Sequence, residues 1–231
     1  MILQYLIDFK KLFYPEVCLA CNNPLFSDEE VICLRCERKL PKTNFHLDPI
    51  NPVIKHFWGK VPVKAATAFY HFAKGGKVQH LIHQLKYKHH PEVGVKVGKI
   101  MGVELSKSSW FTDLDLVLPV PLHRNKERMR GYNQSAMFAS GLALALGITA
   151  STTLLVRSKF TDTQTRKHRF ERFENVNSVF EISDRELLKN KNVLLVDDVI
   201  TTGSTLCACA EAILEIPGTS VSIAAIAQTS H

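Results

Sequence analysis

Residues Asn192-Val-Leu-Leu-Val-Asp-Asp-Val-Ile-Thr-Thr-Gly-Ser-Thr205 set two adjacent carboxylates between a continuous apolar run and a hydroxyl-rich loop with one glycine. Such a run, apolar at every position, is the pattern of a parallel strand covered on both faces. The carboxyl end of a strand in an open α/β sheet is where ligands bind. A helix starting at Ser204 would offer unpaired backbone N–H groups and a favourable dipole to a phosphate. Gly203 permits close backbone approach, and Thr201, Thr202, Ser204 and Thr205 add hydroxyl donors. Asp197 and Asp198 repel phosphate, so they suit sugar hydroxyls or a Mg²⁺ that bridges to phosphate oxygens. The segment is not a Walker A loop, because no lysine follows the glycine in that pattern. The bland alternative is a strand–loop–helix junction in which Asp198 and Ser204 only cap local backbone.

Two basic stretches fit an anionic ligand. His123 to Arg130 carries net +3 and Arg157 to Arg172 net +4, within a total of +7, so the rest of the chain is close to neutral. Arg124, Arg128 and Arg130 follow Pro119-Val-Pro-Leu122 and are able to neutralise a diphosphate through charge-assisted hydrogen bonds. The second stretch, with Gln164 and Arg172, is long and polar, as lids and binding loops are. Nucleic-acid binding is open for both, with Phe160, Phe170 and Phe173 available for stacking.

Cys18-Leu-Ala-Cys21 and Cys33-Leu-Arg-Cys36 are two Cys-x-x-Cys pairs eleven residues apart. Four thiolates in that spacing suit tetrahedral Zn²⁺ with no open position, hence a structural site. Disulfides and a redox pair are the alternatives. Cys207 and Cys209, two apart on a helix, read as packing residues. His89 and His90 lack a partner at ligand spacing and read as surface residues.

These groups need elements to hold them. The spacing predicts strands at Ala65–Phe72, Leu114–Leu118, Thr152–Val156, Val193–Val196 and Val221–Ala227. It predicts helices from Val78, over Val93–Leu105, over Gln134–Leu146 with Asn133 as N-cap and Gly147 beyond its end, and over Ser204–Leu214. Strands alternating with helices predict an α/β fold, a parallel sheet with helices on both faces. Three regions follow: 1–45, a helix and the four-cysteine module; 46–63, a proline-marked linker; and 64–231, the α/β domain. The 45% hydrophobic content excludes disorder. The apolar start breaks at Asp8, so neither a membrane span nor a secretory signal is expected, and a cytoplasmic address follows. Leu3, Leu6, Ile7 and Phe13 are expected to pack as one helix face rather than to contact a membrane.

The segment from Asn192 to Thr205 resembles the phosphoribosyl diphosphate (PRPP) motif of type I phosphoribosyltransferases. The resemblance implies that Asp197 and Asp198 hold the ribose 2- and 3-hydroxyls and that Thr201 to Thr205 wrap the 5-phosphate. Pro119 to Leu122, Arg130 to Gln134, the Lys86-Tyr87 helix end, Gln164, Thr165, Arg172, Asn175, Val176 and the four cysteines together resemble the competence protein F (ComF) family, from about Pro15 to Ala227. Arg166-Lys167 stands where that family commonly has Gly-Leu, which makes the loop more basic. The resemblance implies phosphoribosyl transfer from PRPP with Mg²⁺ to an acceptor, structural Zn²⁺, and a role in DNA uptake. A non-catalytic accessory protein that binds PRPP, single-stranded DNA or a helicase partner is the competing reading. No cysteine follows Met1 as a glutaminase nucleophile, so forming phosphoribosylamine from glutamine is not expected.

Overall fold

A computed structural model describes residues 15–26, 28–157 and 179–229. The expected terminal helix face at Leu3 to Phe13, and Gln164, Arg172 and the aromatic residues of the second basic stretch, lie outside the described residues.

The core is a five-stranded sheet of β1 (Ala65–Phe72), β2 (Leu116–Pro119), β3 (Thr149–Ala150), β6 (Asn192–Ile200) and β7 (Ser220–Thr229). The spatial order is β1-β7-β6-β2-β3 and every pairing is parallel. Alternation along the strands explains how both faces are covered, because successive side chains point to opposite sides. Val117, Leu194, Val196, Ala224 and Ile226 face α3 (Lys77–Tyr87), α4 (Glu92–Leu105) and α6 (Gln134–Leu146). Leu116, Leu118, Val193, Leu195, Ile223 and Ala225 face α2 (Pro52–Lys55) and α7 (Ser204–Leu214). The expected parallel sheet with helices on both faces is therefore present. A two-stranded antiparallel ribbon pairs β4 (Leu155–Arg157) with β5 (Phe180–Ile182), which lie on either side of the second basic stretch in the sequence.

The 46–63 stretch does more than connect. Asn51, almost fully buried, donates from Nδ2 to the carbonyls of Phe45, Asp48 and Ala66 and accepts at Oδ1 from the amides of Val53 and Ile54. It thereby caps α2 and ties it to β1, and Val53, Ile54, Phe57 and Val61 enter the core. Upstream, the four-cysteine module, with α1 (Leu34–Lys39), packs Leu19, Ala20, Ile32 and Leu40 into the α3/α4 side of the core.

Helices α4 and α6 approach unusually closely. A Cβ on Gly98 would overlap Phe138 O, and one on Gly141 would overlap Val95 O. Alanine normally favours a helix over glycine by about 1 kcal/mol. Here the clash wins. Gly98→Ala is expected to destabilise by about 2–3 kcal/mol, the scale of overpacking a rigid core. Differential scanning calorimetry is expected to show Tm lower by roughly 4–12 °C.

Candidate functional site

The site is built where β2 and β6 end side by side. Strand β6 runs through the acid pair, with Asp197 opposite Ala225 and Ile200 opposite Gln228 on β7. After Ile200 the chain turns at Thr201 and Thr202 and enters α7 through Gly203, whose φ of 76° suits glycine. Gly203 is buried with its back to His56 and Phe57, while Thr201, Thr202, Ser204 and Thr205 are exposed. Thr202 Oγ1 and Ser204 Oγ lie 2.9 Å apart. The first intrahelical bond runs from Cys207 N–H to Gly203 O, so the amides of residues 204 to 206 precede it. Thr201 to Thr205 therefore present hydroxyls and amides together at one strand-to-helix corner.

The two carboxylates meet different partners. Asp197 Oδ1 accepts from Ser135 Oγ and from the Asp198 amide, each at 2.8 Å. Asp198, buried, forms an ion pair with Lys86 Nζ at 2.8 Å. Burial first and the neighbouring Asp198 second push the Asp197 carboxyl up to about 7, against the partial relief given by Ser135, the Asp198 amide and Lys86.

That shift has a direction in stability. Between the ordinary value of 3.8 and about 7, the folded chain holds a proton that the unfolded chain has released. Stability from this group is therefore lost as pH rises through that window. The urea midpoint is expected to be higher near pH 5 than near pH 8, with the difference reduced in Asp197→Asn.

Ser135 is held by α6, whose N-cap Asn133 accepts the Ser135 amide at Oδ1 and donates from Nδ2 to Val120 O. Gly147 in the left-handed region ends the helix, as its position predicts. The first basic stretch is α5 (Arg124–Arg130), two exposed turns with His123 Nδ1 accepting the Asn125 amide and Gly131 as terminator. Arg124 and Arg128 are exposed, and Arg130 stacks over Tyr87 at 5.2 Å. Tyr132 Oη donates to Leu85 O, and His89 Nδ1 meets Arg130 O at 3.1 Å. The end of α3 is thus fastened to the corner that follows α5. A cleft of about 290 Å³ opens at the end of β2 and the start of α6, lined by Pro119, Pro121, Leu122, Tyr132, Asn133, Met137 and Thr152 among others. Sequence reasoning gave Lys86 no role and did not name Ser135. A cation at a helix end was the available signal for Lys86, whereas the reach of Ser135 to Asp197 is a tertiary contact.

Cys18, Cys21, Cys33 and Cys36 bring their sulfurs within 4.8 Å of one another. Cys21 and Cys33 Sγ are 3.9 Å apart, close to the edge of about 3.8 Å that a tetrahedron with Zn–S near 2.3 Å requires. Burial pushes Cys33 up and Cys36 up to about 12, so these thiols need a cation to ionise. Burial also opposes ionisation of Cys18, but amide bonds from Cys33 at 3.2 Å and Ala20 at 3.4 Å bring it down. Lys77 Nζ lies 3.7 Å from Cys36 Sγ. The donor set fits a metal such as zinc. Cys207 and Cys209 are buried in α7. His90 pairs with Glu92 at the surface. No helix among the described residues is long and apolar enough to cross a membrane.

The family profile described as "Phosphoribosyl transferase domain" matches residues 133–231. The chain is 26% identical to DNA utilization protein YhgH of Escherichia coli (strain K12), over 94% of this chain and 99% of that protein. It is 36% identical to competence protein F of Haemophilus influenzae, over 40% of this chain and 41% of that protein. Among solved structures, the glutamine PRPP amidotransferase from B. subtilis, complexed with ADP and GMP, overlaps at a TM-score of 0.43 and 22% identity, over 62% of this chain and 30% of that one. Residues 133–231 thus match a phosphoribosyl transferase domain, and the chain is similar to these DNA-utilization and competence proteins.

Proposed function

We propose that the chain binds PRPP with Mg²⁺ and transfers its phosphoribosyl group to a nucleophilic acceptor, releasing diphosphate. One observation carries the reading: an acid pair near the end of a central parallel strand, followed closely by exposed hydroxyls and the first amides of a helix. In this reading Asp197 and Asp198 take the two ribose hydroxyls, and Thr201, Thr202, Gly203, Ser204 and Thr205 enclose the 5-phosphate. Arg124, Arg128 and Arg130, together with Gln164 and Arg172, attract and hold the diphosphate. Transfer breaks the bond from ribose C1 to the diphosphate oxygen and forms one from C1 to the acceptor. The diphosphate leaves with the electron pair, and the acceptor's proton passes to solvent. The chain contributes orientation and charge compensation rather than covalent chemistry. Mg²⁺, when bound, would be held beside Asp197 and Asp198 and would offset charge on the diphosphate. The Cys18, Cys21, Cys33 and Cys36 module holds Zn²⁺ in a structural role. We place the chain in the cytoplasm.

The names of the relatives, DNA utilization and competence, support a role in handling DNA taken up by the cell. They keep a second reading in view, an accessory protein that binds single-stranded DNA or a helicase partner through its basic stretches. Thermal shift separates the two. Saturable, Mg²⁺-dependent stabilisation by PRPP is expected. Stabilisation by oligonucleotides alone, fading steeply with salt and without a PRPP effect, would favour the accessory reading.

A further inference from the structure

Lys86 stands at the end of α3, with its ammonium 2.8 Å from Asp198 and its side chain about one-fifth exposed. Its backbone is fixed on two sides. Leu85 O accepts from Tyr132 Oη, and the Tyr87 ring carries the Arg130 guanidinium. The ammonium itself sits on a flexible four-carbon stem and is free to turn. Two neighbouring carboxylates, one buried and the other partly so, need positive charge when ionised, and among the described residues Lys86 is the cation in an ion pair with Asp198.

We infer that Lys86 is a phosphate-contacting cation parked on Asp198, which a divalent ion displaces toward the phosphates when the phosphoribosyl ligand binds. The inference rests on the PRPP reading above. The physical reason is a charge count. Once both acids are ionised, two carboxylates and one ammonium sum to one negative charge. A divalent ion neutralises both carboxylates, so the ammonium becomes surplus there. The nearest uncompensated negative charge is then the incoming phosphate. Moving an ammonium from a carboxylate to a phosphate exchanges one charge-assisted hydrogen bond for another, so the step is nearly balanced and reversible. Arg130, fastened beside Tyr87, and the basic turns of α5 lie at the same corner and present the ligand with cations that are not engaged by the acid pair.

The inference gives Lys86 opposite effects on two ligands, which a merely structural role does not. Lys86→Gln removes the competitor for the carboxylates, so Mn²⁺ alone, followed by electron paramagnetic resonance, is expected to bind several-fold more tightly. The same change removes a contact to the ligand. PRPP with Mg²⁺ is expected to bind about tenfold or more weakly by isothermal titration, the scale of one hydrogen bond between charged groups. Lys86→Arg keeps the charge and is expected to recover most of the PRPP affinity, and circular dichroism spectra of both variants should match the wild type. Weakening of both ligands together, or PRPP affinity within twofold of wild type in Lys86→Gln, overturns the inference while leaving the PRPP reading intact. Failure of the wild-type protein to bind PRPP overturns both.

Discussion

Replacing Asp197 with asparagine is expected to make the protein more stable and its PRPP binding far weaker. The carboxyl is held up to about 7 by burial and by Asp198, so near pH 8 the folded chain carries a charge that its surroundings disfavour. Asparagine removes the charge and keeps the geometry. Its Oδ1 still accepts from Ser135 Oγ and from the Asp198 amide, the two bonds that fix this side chain now. The Tm near pH 8 is therefore expected to rise. Binding pays the opposite way, because a ribose hydroxyl loses a charged acceptor. A hydrogen bond to a charged group contributes about 1.5–3 kcal/mol, so PRPP affinity is expected to fall about 10- to 100-fold. Calorimetric Tm and isothermal titration on the same preparation check both signs. A variant that is less stable and binds PRPP normally would mean that Asp197 is structural.

The second large effect is at the other end of the chain. Removing the metal from the four-cysteine module, or substituting Cys36→Ser, is expected to release residues 15–41 from the α3/α4 face. Three of the four sulfurs are buried, and Cys33 and Cys36 resist ionisation without a cation. Their clustering within 4.8 Å then leaves polar sulfurs without compensation. What a bound metal would hold in place is apolar. Leu19, Ile32 and Leu40 pack against the main core, and each such side chain contributes about 1.5–3 kcal/mol when buried. A loss of at least about 3 kcal/mol is expected on that scale. Elemental analysis should give one zinc per chain in the wild type and none in Cys36→Ser, with new protease cleavage confined to the module. Full retention of Tm after verified metal removal would contradict the structural role.

Much of this architecture was legible in the residues, for identifiable reasons. Asn133 and Gly147 bracket α6 at the expected positions because a side-chain cap and a left-handed terminator are local events. The Ser204–Leu214 helix also begins and ends where expected. The apolar run predicts strand β6 only to Val196, although pairing to β7 carries it through both acids to Ile200. Polar residues end an apolar run, but they do not end a ladder that a neighbour continues. The stretch after His123 reads as a basic loop and folds as α5, since a histidine cap is a weak signal. The proline-rich 46–63 stretch gave no sign that Asn51 would bind three carbonyls and dock α2. The Lys86–Asp198 pair joins residues distant in sequence, and no local pattern encodes it.

Isothermal titration of PRPP with Mg²⁺ into the zinc-loaded wild-type protein tests the phosphate corner most directly. The arrangement of Asp197, Asp198 and Thr201 to Thr205 predicts saturable binding at one site in the micromolar range, abolished when Gly203 is replaced by a bulky residue. Absence of binding at millimolar PRPP, or binding indifferent to that replacement, would contradict it.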